Sequence, residues 1–201
     1  MKNKFLKLTA FLLLFALYLL PPTTATAQPT DGVSVTVNGQ QAQRHGNAFS
    51  MLSACGQQQA VIQVTAGSPA TIKINGVTQN PRTVNLTVYG NNIINITVTP
   101  QGGSAQSYTL TINKPIPFGQ IMVTRWGKTL AVNNNPANNG GFTFSSYKWF
   151  RNGELISTDG YILIDININS ADIYYAEMVD TNVAGIIRSC PGYISEAYAP
   201  Q

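Results

Sequence analysis

Residues 83–112 read TVNLTVYGNNIINITVTPQGGSAQSYTLTI, and the order of apolar and polar side chains in this stretch decides the fold class. Val84, Leu86 and Val88 alternate with Thr83, Asn85 and Thr87; Ile94, Ile96 and Val98 are spaced in the same way, and so are Tyr108, Leu110 and Ile112. A period of two places every second side chain on one face, so each run reads as a strand with one apolar and one wet side. Gly90-Asn91-Asn92 and Gly102-Gly103-Ser104 separate the runs and supply the positive φ angles of tight connections. Upstream, Val33, Val35 and Val37 repeat the pattern before Asn38-Gly39, and Ile72 and Ile74 flank Lys73 before Asn75-Gly76. Short strands at this spacing predict an antiparallel sandwich.

Downstream, Lys114-Pro115-Ile116-Pro117 interrupts the pattern, because proline lacks an N–H and restrains the residue before it. A domain boundary is placed there. Residues 28–114 carry Arg44, Lys73, Arg82 and Lys114 against Asp31, about +3; residues 115–201 carry five basic and seven acidic residues, about −2. Beyond the prolines, strands are expected at 121–125, 128–132, 142–150, 154–157, 161–168, 173–179 and 185–188, with Asn152-Gly153 as a hairpin turn and NNNPANNGG (133–141) as a polar loop. Ile162, Ile164, Ile166 and Ile168 place four β-branched residues on one face.

The N-terminus has a different character. Lys2, Lys4 and Lys7 precede an apolar run from Phe11 to Leu20, and Ala25-Thr26-Ala27 forms a small-x-small cleavage site, so residues 1–27 read as a removed signal peptide and the mature chain is expected to begin at Gln28. The run is too short to cross about 30 Å of hydrocarbon, and Pro21 and Pro22 end it. Nothing later is apolar enough to span a membrane. The expected address is therefore the periplasm, the outer surface or the medium. The 201 residues carry a formal charge of +4, but three of the lysines belong to the signal, which leaves about +1 and no cationic cluster for nucleic acid. Charged residues make up 10% of the chain, far below the roughly 25% of a typical soluble domain. Asn, Gln, Ser and Thr supply the polar surface instead. The fold class that follows is all-β: two consecutive antiparallel β-sandwich domains, 28–114 and 115–201, after the cleaved signal.

Two resemblances sharpen this expectation. TIKING (71–76), VNLTV (84–88) and GNNIINITVTPQGGSAQSYTLTI (90–112) together resemble a cadherin-like β-sandwich domain of bacterial surface proteins, which implies that the strand from Tyr108 closes the sheet. RWGKTLAVNNN (125–135), YKWFRNGELI (147–156), DIYYAEMVD (172–180) and IIRSCPG (186–192) resemble immunoglobulin-like modules of exported Bacteroidetes proteins. That resemblance implies Trp149 and Tyr174 as structural core residues. The inter-sheet disulfide of antibody domains is absent, since Ala176 stands two residues past Tyr174 and the second strand offers Leu130 and Val132. Modules of these families serve as spacers, adhesins or accessory domains.

Reactive groups are few. His45, the single histidine, lies beside Arg44 and Gly46 in what reads as a polar loop, and no G-x-S-x-G elbow holds a serine for it. Pairing of Cys55 with His45 as a nucleophile rests on folding chance. Asp31 is the sole acid of the first half. Glu154, Asp159, Asp165, Asp172, Glu177, Asp180 and Glu196 read as solvated, with no pair set across a cleft. No C-x-x-C spacing or acidic loop indicates a metal, and the amides of NNNPANNGG alone would hold Ca²⁺ weakly. Export makes Cys55 and Cys190 eligible for a disulfide; two half-buried thiols, or pairing with another molecule, are the other readings.

Function is therefore expected to lie in surface contact, without catalysis, cofactor or metal. The first expectation is a structural or adhesive module that contacts a cell-envelope protein. The alternative is an accessory protein that binds surface polysaccharide through exposed aromatics, with Trp126, Phe150 and Tyr175 as ligand-binding candidates. A small hydrolase is the remote third.

Overall fold

The computed structural model describes residues 31–125, 129–163, 169–182 and 185–194. The signal segment, Trp126, Asp165, Glu196 and the last three of the four aligned isoleucines lie outside them. Residues from Asp31 onward belong to one compact unit, and the chain is all-β, built as two consecutive β-sandwiches.

In the first sandwich β1 (Ser34–Val37), β2 (Gln40–Gln41), β3 (Gln43–His45), β4 (Ala48–Leu52) and β5 (Gln59–Thr65) are followed by β6 (Ala70–Ile74), β7 (Arg82–Asn85), β8 (Gly90–Pro100) and β9 (Gln106–Lys114). One sheet runs β2-β1-β5-β7 and the other β3-β4-β9-β8-β6. Alternation is strict in β5, where Ala60, Ile62 and Val64 are buried between exposed neighbours. The two inner faces enclose Val35, Phe49, Ile62, Leu86, Ile96 and Leu110 in one apolar cluster.

One strand pairing and one turn depart from the sequence expectation here. β4 and β9 pair in parallel, Phe49 opposite Leu110 and Met51 opposite Ile112. This pairing joins segments far apart in sequence, as parallel strands require. Gly90-Asn91-Asn92 opens β8 and is no turn. Gly90 is still required there, because its φ is 77° and a Cβ would stand 3.1 Å from Cγ1 of Ile187.

The Asn-Gly turns share one device. Asn38, Asn75 and Asn152 take φ of 51°, 47° and 52°, each followed by a glycine at positive φ. Each asparagine then fastens its hairpin to a neighbouring segment: its Oδ1 accepts the N–H of Val61, Asn95 or Ile173 at 2.8, 2.9 and 2.9 Å, while its own N–H donates to the carbonyl of the same residue. Asparagine is favoured here over other residues because it tolerates the left-handed region and carries its own acceptor.

In the second sandwich a single helical turn, α1 (Phe118–Ile121), leads into β10 (Met122–Arg125), β11 (Thr129–Val132), β12 (Phe144–Arg151) and β13 (Glu154–Ser157). β14 (Ile162–Leu163), β15 (Ile173–Asp180), β16 (Ile186–Arg188) and β17 (Gly192–Tyr193) complete it. The sheets are β10-β11-β14 and β13-β12-β15-β16, with β17 also on β15. Trp149 and Tyr174 are fully buried, with Leu130, Val132 and Ala176 in the same cluster. Trp149 Nε1 donates to the Gly160 carbonyl at 3.2 Å, and the Tyr174 hydroxyl accepts the N–H of Asn169. Both polar handles are therefore satisfied inside an apolar core.

The 133–141 loop is organised by its own amides. Asn139 is fully buried; its Nδ2 donates to the carbonyls of Asn133 and Phe142, and its Oδ1 accepts the Phe142 N–H at 2.9 Å. The Oδ1 atoms of Asn133, Asn135 and Asn138 accept hydrogen bonds within the loop as well. These oxygens hold the loop and are not displayed toward a cation.

Candidate functional site

The strongest convergence of polar groups in the first sandwich surrounds Asp31. Arg44 grips its carboxylate with Nη1 on Oδ1 at 2.7 Å and Nη2 on Oδ2 at 2.6 Å, and the Tyr108 hydroxyl donates to Oδ2 at 2.7 Å. The guanidinium also lies 5.2 Å from the Phe49 ring centroid and 5.5 Å from that of Tyr108. Arg44 and His45 thus belong to β3 and not to a loop; Arg44 is half-buried, while His45 is exposed at the strand end. Arg44 beside Asp31 holds the carboxyl well below the usual carboxylate range, with the Val33 N–H and the Tyr108 hydroxyl adding to the effect. Burial, then the facing Asp31, pushes the Tyr108 phenol up.

A carboxyl with a depressed folded pKa contributes stability that is complete above its unfolded pKa, near 4, and is lost as pH falls toward the folded value. Urea unfolding at pH 7 and pH 3 is therefore expected to show the parent losing about 0.5–1 kcal/mol more than Asp31→Asn, since pH 3 lies only about one unit below the unfolded pKa and the pair is partly exposed. Equal losses in the two proteins would show that the pair contributes nothing.

The second convergence lies where the two apolar cores meet. Lys114, at the end of β9, is 5% exposed; its Nζ donates to Gln58 Oε1 and the Leu86 carbonyl, both at 2.8 Å, and stands 5.1 Å from the Tyr89 ring centroid. Neutral acceptors and a ring face thus replace water around a buried cation. Tyr89 in turn packs against the second core and donates its hydroxyl to Gln120 at 3.0 Å. In the Pro115–Pro117 connection only Ile116 keeps an N–H; it donates to the Arg188 carbonyl at 2.9 Å, and the Cys190 N–H donates back to the Ile116 carbonyl at 2.7 Å. Ile116 itself is fully buried. Asn113 Nδ2 reaches the Ile186 carbonyl, and Ile187 lies against Gly90.

Cys55 and Cys190 are joined by a disulfide with Cα atoms 5.7 Å apart, which ties the exposed turn after β4 to the segment after β16. The bond leaves no Cys55 thiol to pair with His45 as a nucleophile. The connection that reads in the sequence as a domain boundary is thus pinned on both sides.

The aromatic candidates occupy a different surface. Phe150 and Tyr175 are cross-strand partners on the outer face of the second sandwich, their rings stacked with centroids 4.5 Å apart and planes 8° apart. Arg188 covers the other face of Tyr175 at 3.9 Å. Tyr175 is 8% exposed and Phe150 half-buried. The Arg188 side chain that covers Tyr175 comes from β16, the neighbour of β15 on the side away from β12. Tyr175 therefore has no open ring face for a sugar. Trp126 lies outside the described residues.

Two of the acids expected to be solvated have structural partners. Asp180 is buried and accepts the Thr143 N–H at 3.0 Å; Asp172 accepts from Asn152 Nδ2 at 2.7 Å. Among the described residues no group of three or more His, Cys, Asp or Glu converges as a metal site, and no helix is long and apolar enough to cross a membrane.

Comparison with known proteins bears on the first sandwich. Residues 56–115 match the family described as cadherin-like beta sandwich domain, a span that takes in β5 to β9. No curated protein matches the chain. Among solved structures, the fibronectin(III)-like modules of Clostridium thermocellum CbhA are similar at 14% identity and a TM-score of 0.26, over 79% of this chain and 90% of theirs. The N-terminal four Ig domains of Dscam1 isoform 4.44 are similar at 10% identity and 0.25, over 82% of this chain and 46% of that one. A Bacteroides ovatus protein, SGBP-B of a mixed-linkage glucan utilization locus in complex with mixed-linkage heptasaccharide, is similar at 16% identity and 0.23, over 80% and 45%. Residues 56–115, less than a third of the chain, are accordingly similar to a cadherin-like β-sandwich domain.

Proposed function

We propose that this chain is an exported, non-catalytic module, divided near residue 115 into a cadherin-like and an immunoglobulin-like domain, that presents a stiff two-sandwich surface to a cell-envelope protein. The observation that carries the reading is the pinned connection between the two cores. A disulfide, a buried lysine and a doubly hydrogen-bonded Ile116 all act against hinge motion there. Catalytic clefts commonly need mobile elements, whereas a spacer or adhesin needs constant geometry. A disulfide also suits an oxidising compartment outside the cytoplasm. The short edges β2, β3 and β13 limit unspecific strand pairing and leave side-chain surface for recognition.

The test is affinity capture from envelope extract with the chain beginning at Gln28, followed by direct titration of the captured protein. Saturable binding that survives in the presence of excess free polysaccharide supports the reading. Retention on polysaccharide alone supports the carbohydrate-binding alternative. Turnover of a hydrolase substrate that disappears on replacing His45 would refute both.

A further inference from the structure

We propose that the first sandwich carries a binding groove for an uncharged polysaccharide, formed by amide side chains and set apart from the aromatic residues of the second half. On the outer face of the sheet β3-β4-β9-β8-β6, strand register aligns Gln43, Ser50 and Thr111 in one row, and Leu52, Asn113 and Asn91 in the next. With Gln40 and Gln41 of β2 and with Met51 they line a shallow groove of about 500 Å³, a volume within the range of small-molecule sites. Its composition is inverted relative to such sites. Five of the nine lining residues carry side-chain amides, two carry hydroxyls and none is charged.

The groove does not end there. It shares Gln40, Met51 and Leu52 with a neighbouring depression of about 220 Å³, which reaches Gln57. Gln57 in turn opens a third, of about 570 Å³, along Gln58, Gln59, Asn85 and Thr87. The three depressions thus adjoin through shared lining residues, none of them charged, an arrangement that suits a chain-like ligand better than a single ring.

The ligand chemistry follows from the lining. An amide presents a donor and an acceptor side by side, and a sugar hydroxyl both donates and accepts, so the two types of group pair without protonation changes. An ionised ligand would lose water and find no opposite charge. Leu52, 45% exposed, offers apolar surface for the C–H face of a sugar ring. Asn113 is also held in one orientation, since its Nδ2 donates to Asn91 Oδ1 at 3.0 Å and to the Ile186 carbonyl, so one amide of the lining is fixed in place.

The test is nitrogen-15 NMR of the chain titrated to millimolar concentration with neutral hexasaccharides (cello-, xylo-, manno- and malto-) beside an oligogalacturonate. The side-chain NH₂ signals of Gln40, Gln41, Gln57 and Asn113 are expected to shift saturably with at least one neutral oligomer, and more weakly with its disaccharide. The double variant Gln41→Ala, Gln43→Ala, at exposed positions, is expected to weaken that binding about tenfold with an unchanged backbone spectrum. Shifts confined to other surfaces, equal binding of the galacturonate, or no shift with any neutral oligomer would overturn the proposal. Binding of the captured envelope protein is a separate measurement that this outcome leaves standing.

Discussion

Replacing both Cys55 and Cys190 by serine is expected to lower the unfolding midpoint by roughly 10 °C, a loss of about 3–5 kcal/mol. The bond closes a loop of 135 residues, and the cost of closing a chain of that length in the unfolded state sets the upper end of the range. The lower end reflects the remaining junction contacts, which keep the two segments near one another in the folded state. Cys190 is buried and Cys55 exposed, so serine at 55 meets water and serine at 190 adds a small burial penalty. Calorimetry of the oxidised parent against the double variant measures the shift. A midpoint within a degree or two of the parent would mean that the bond constrains nothing the other contacts do not already hold.

Trp149→Ala is expected to cost about 3–5 kcal/mol through loss of the largest buried side chain of the second core and the cavity left behind. The indole also donates to the Gly160 carbonyl, which would be left without that donor. The two apolar clusters share no residue, so the damage should be concentrated in residues 116–194. Hydrogen exchange of the variant is expected to show faster exchange in β12 and β15, with β5 and β8 protected as in the parent. Uniform loss of protection would show that the two cores unfold as one cooperative unit. Trp149→Phe should recover more than half of the loss, since it restores most of the volume though not the hydrogen bond.

The strands that sequence reading placed best are those whose environment is set by local alternation. β8 and β9 are long, have one wet face, and bury every second side chain along most of their length. The stretch from Gln40 to Leu52 was not legible in the same way, because β2 is wholly exposed and only Ala42 and Phe49 are buried across those thirteen residues. β5 carried a usable signal in Ala60, Ile62 and Val64, with Val61 on the opposite face obscuring the period. The parallel register of β4 on β9 depends on which distant segments meet, and alternation within either strand is silent on that.

The polar sites divide on the same line. Asn-Gly turns announce themselves locally, whereas the grip of Arg44 on Asp31 spans thirteen positions and answers to no spacing rule. Lys114 reads as a surface charge at a strand end, and only the approach of Gln58, Leu86 and Tyr89 turns it into a buried one. Phe150 and Tyr175 read as exposed aromatics in the sequence, but the guanidinium over Tyr175 comes from a third strand. The bond between Cys55 and Cys190 stood among open alternatives because cysteine count fixes eligibility and not proximity.

Constant geometry between the two sandwiches is the property on which the functional proposal depends, and nitrogen-15 relaxation of the oxidised chain measures it most directly. The pinned junction predicts one rotational correlation time for residues 33–112 and 116–194, that of a single body of their combined size. Two shorter and different correlation times, one for each core, would contradict it.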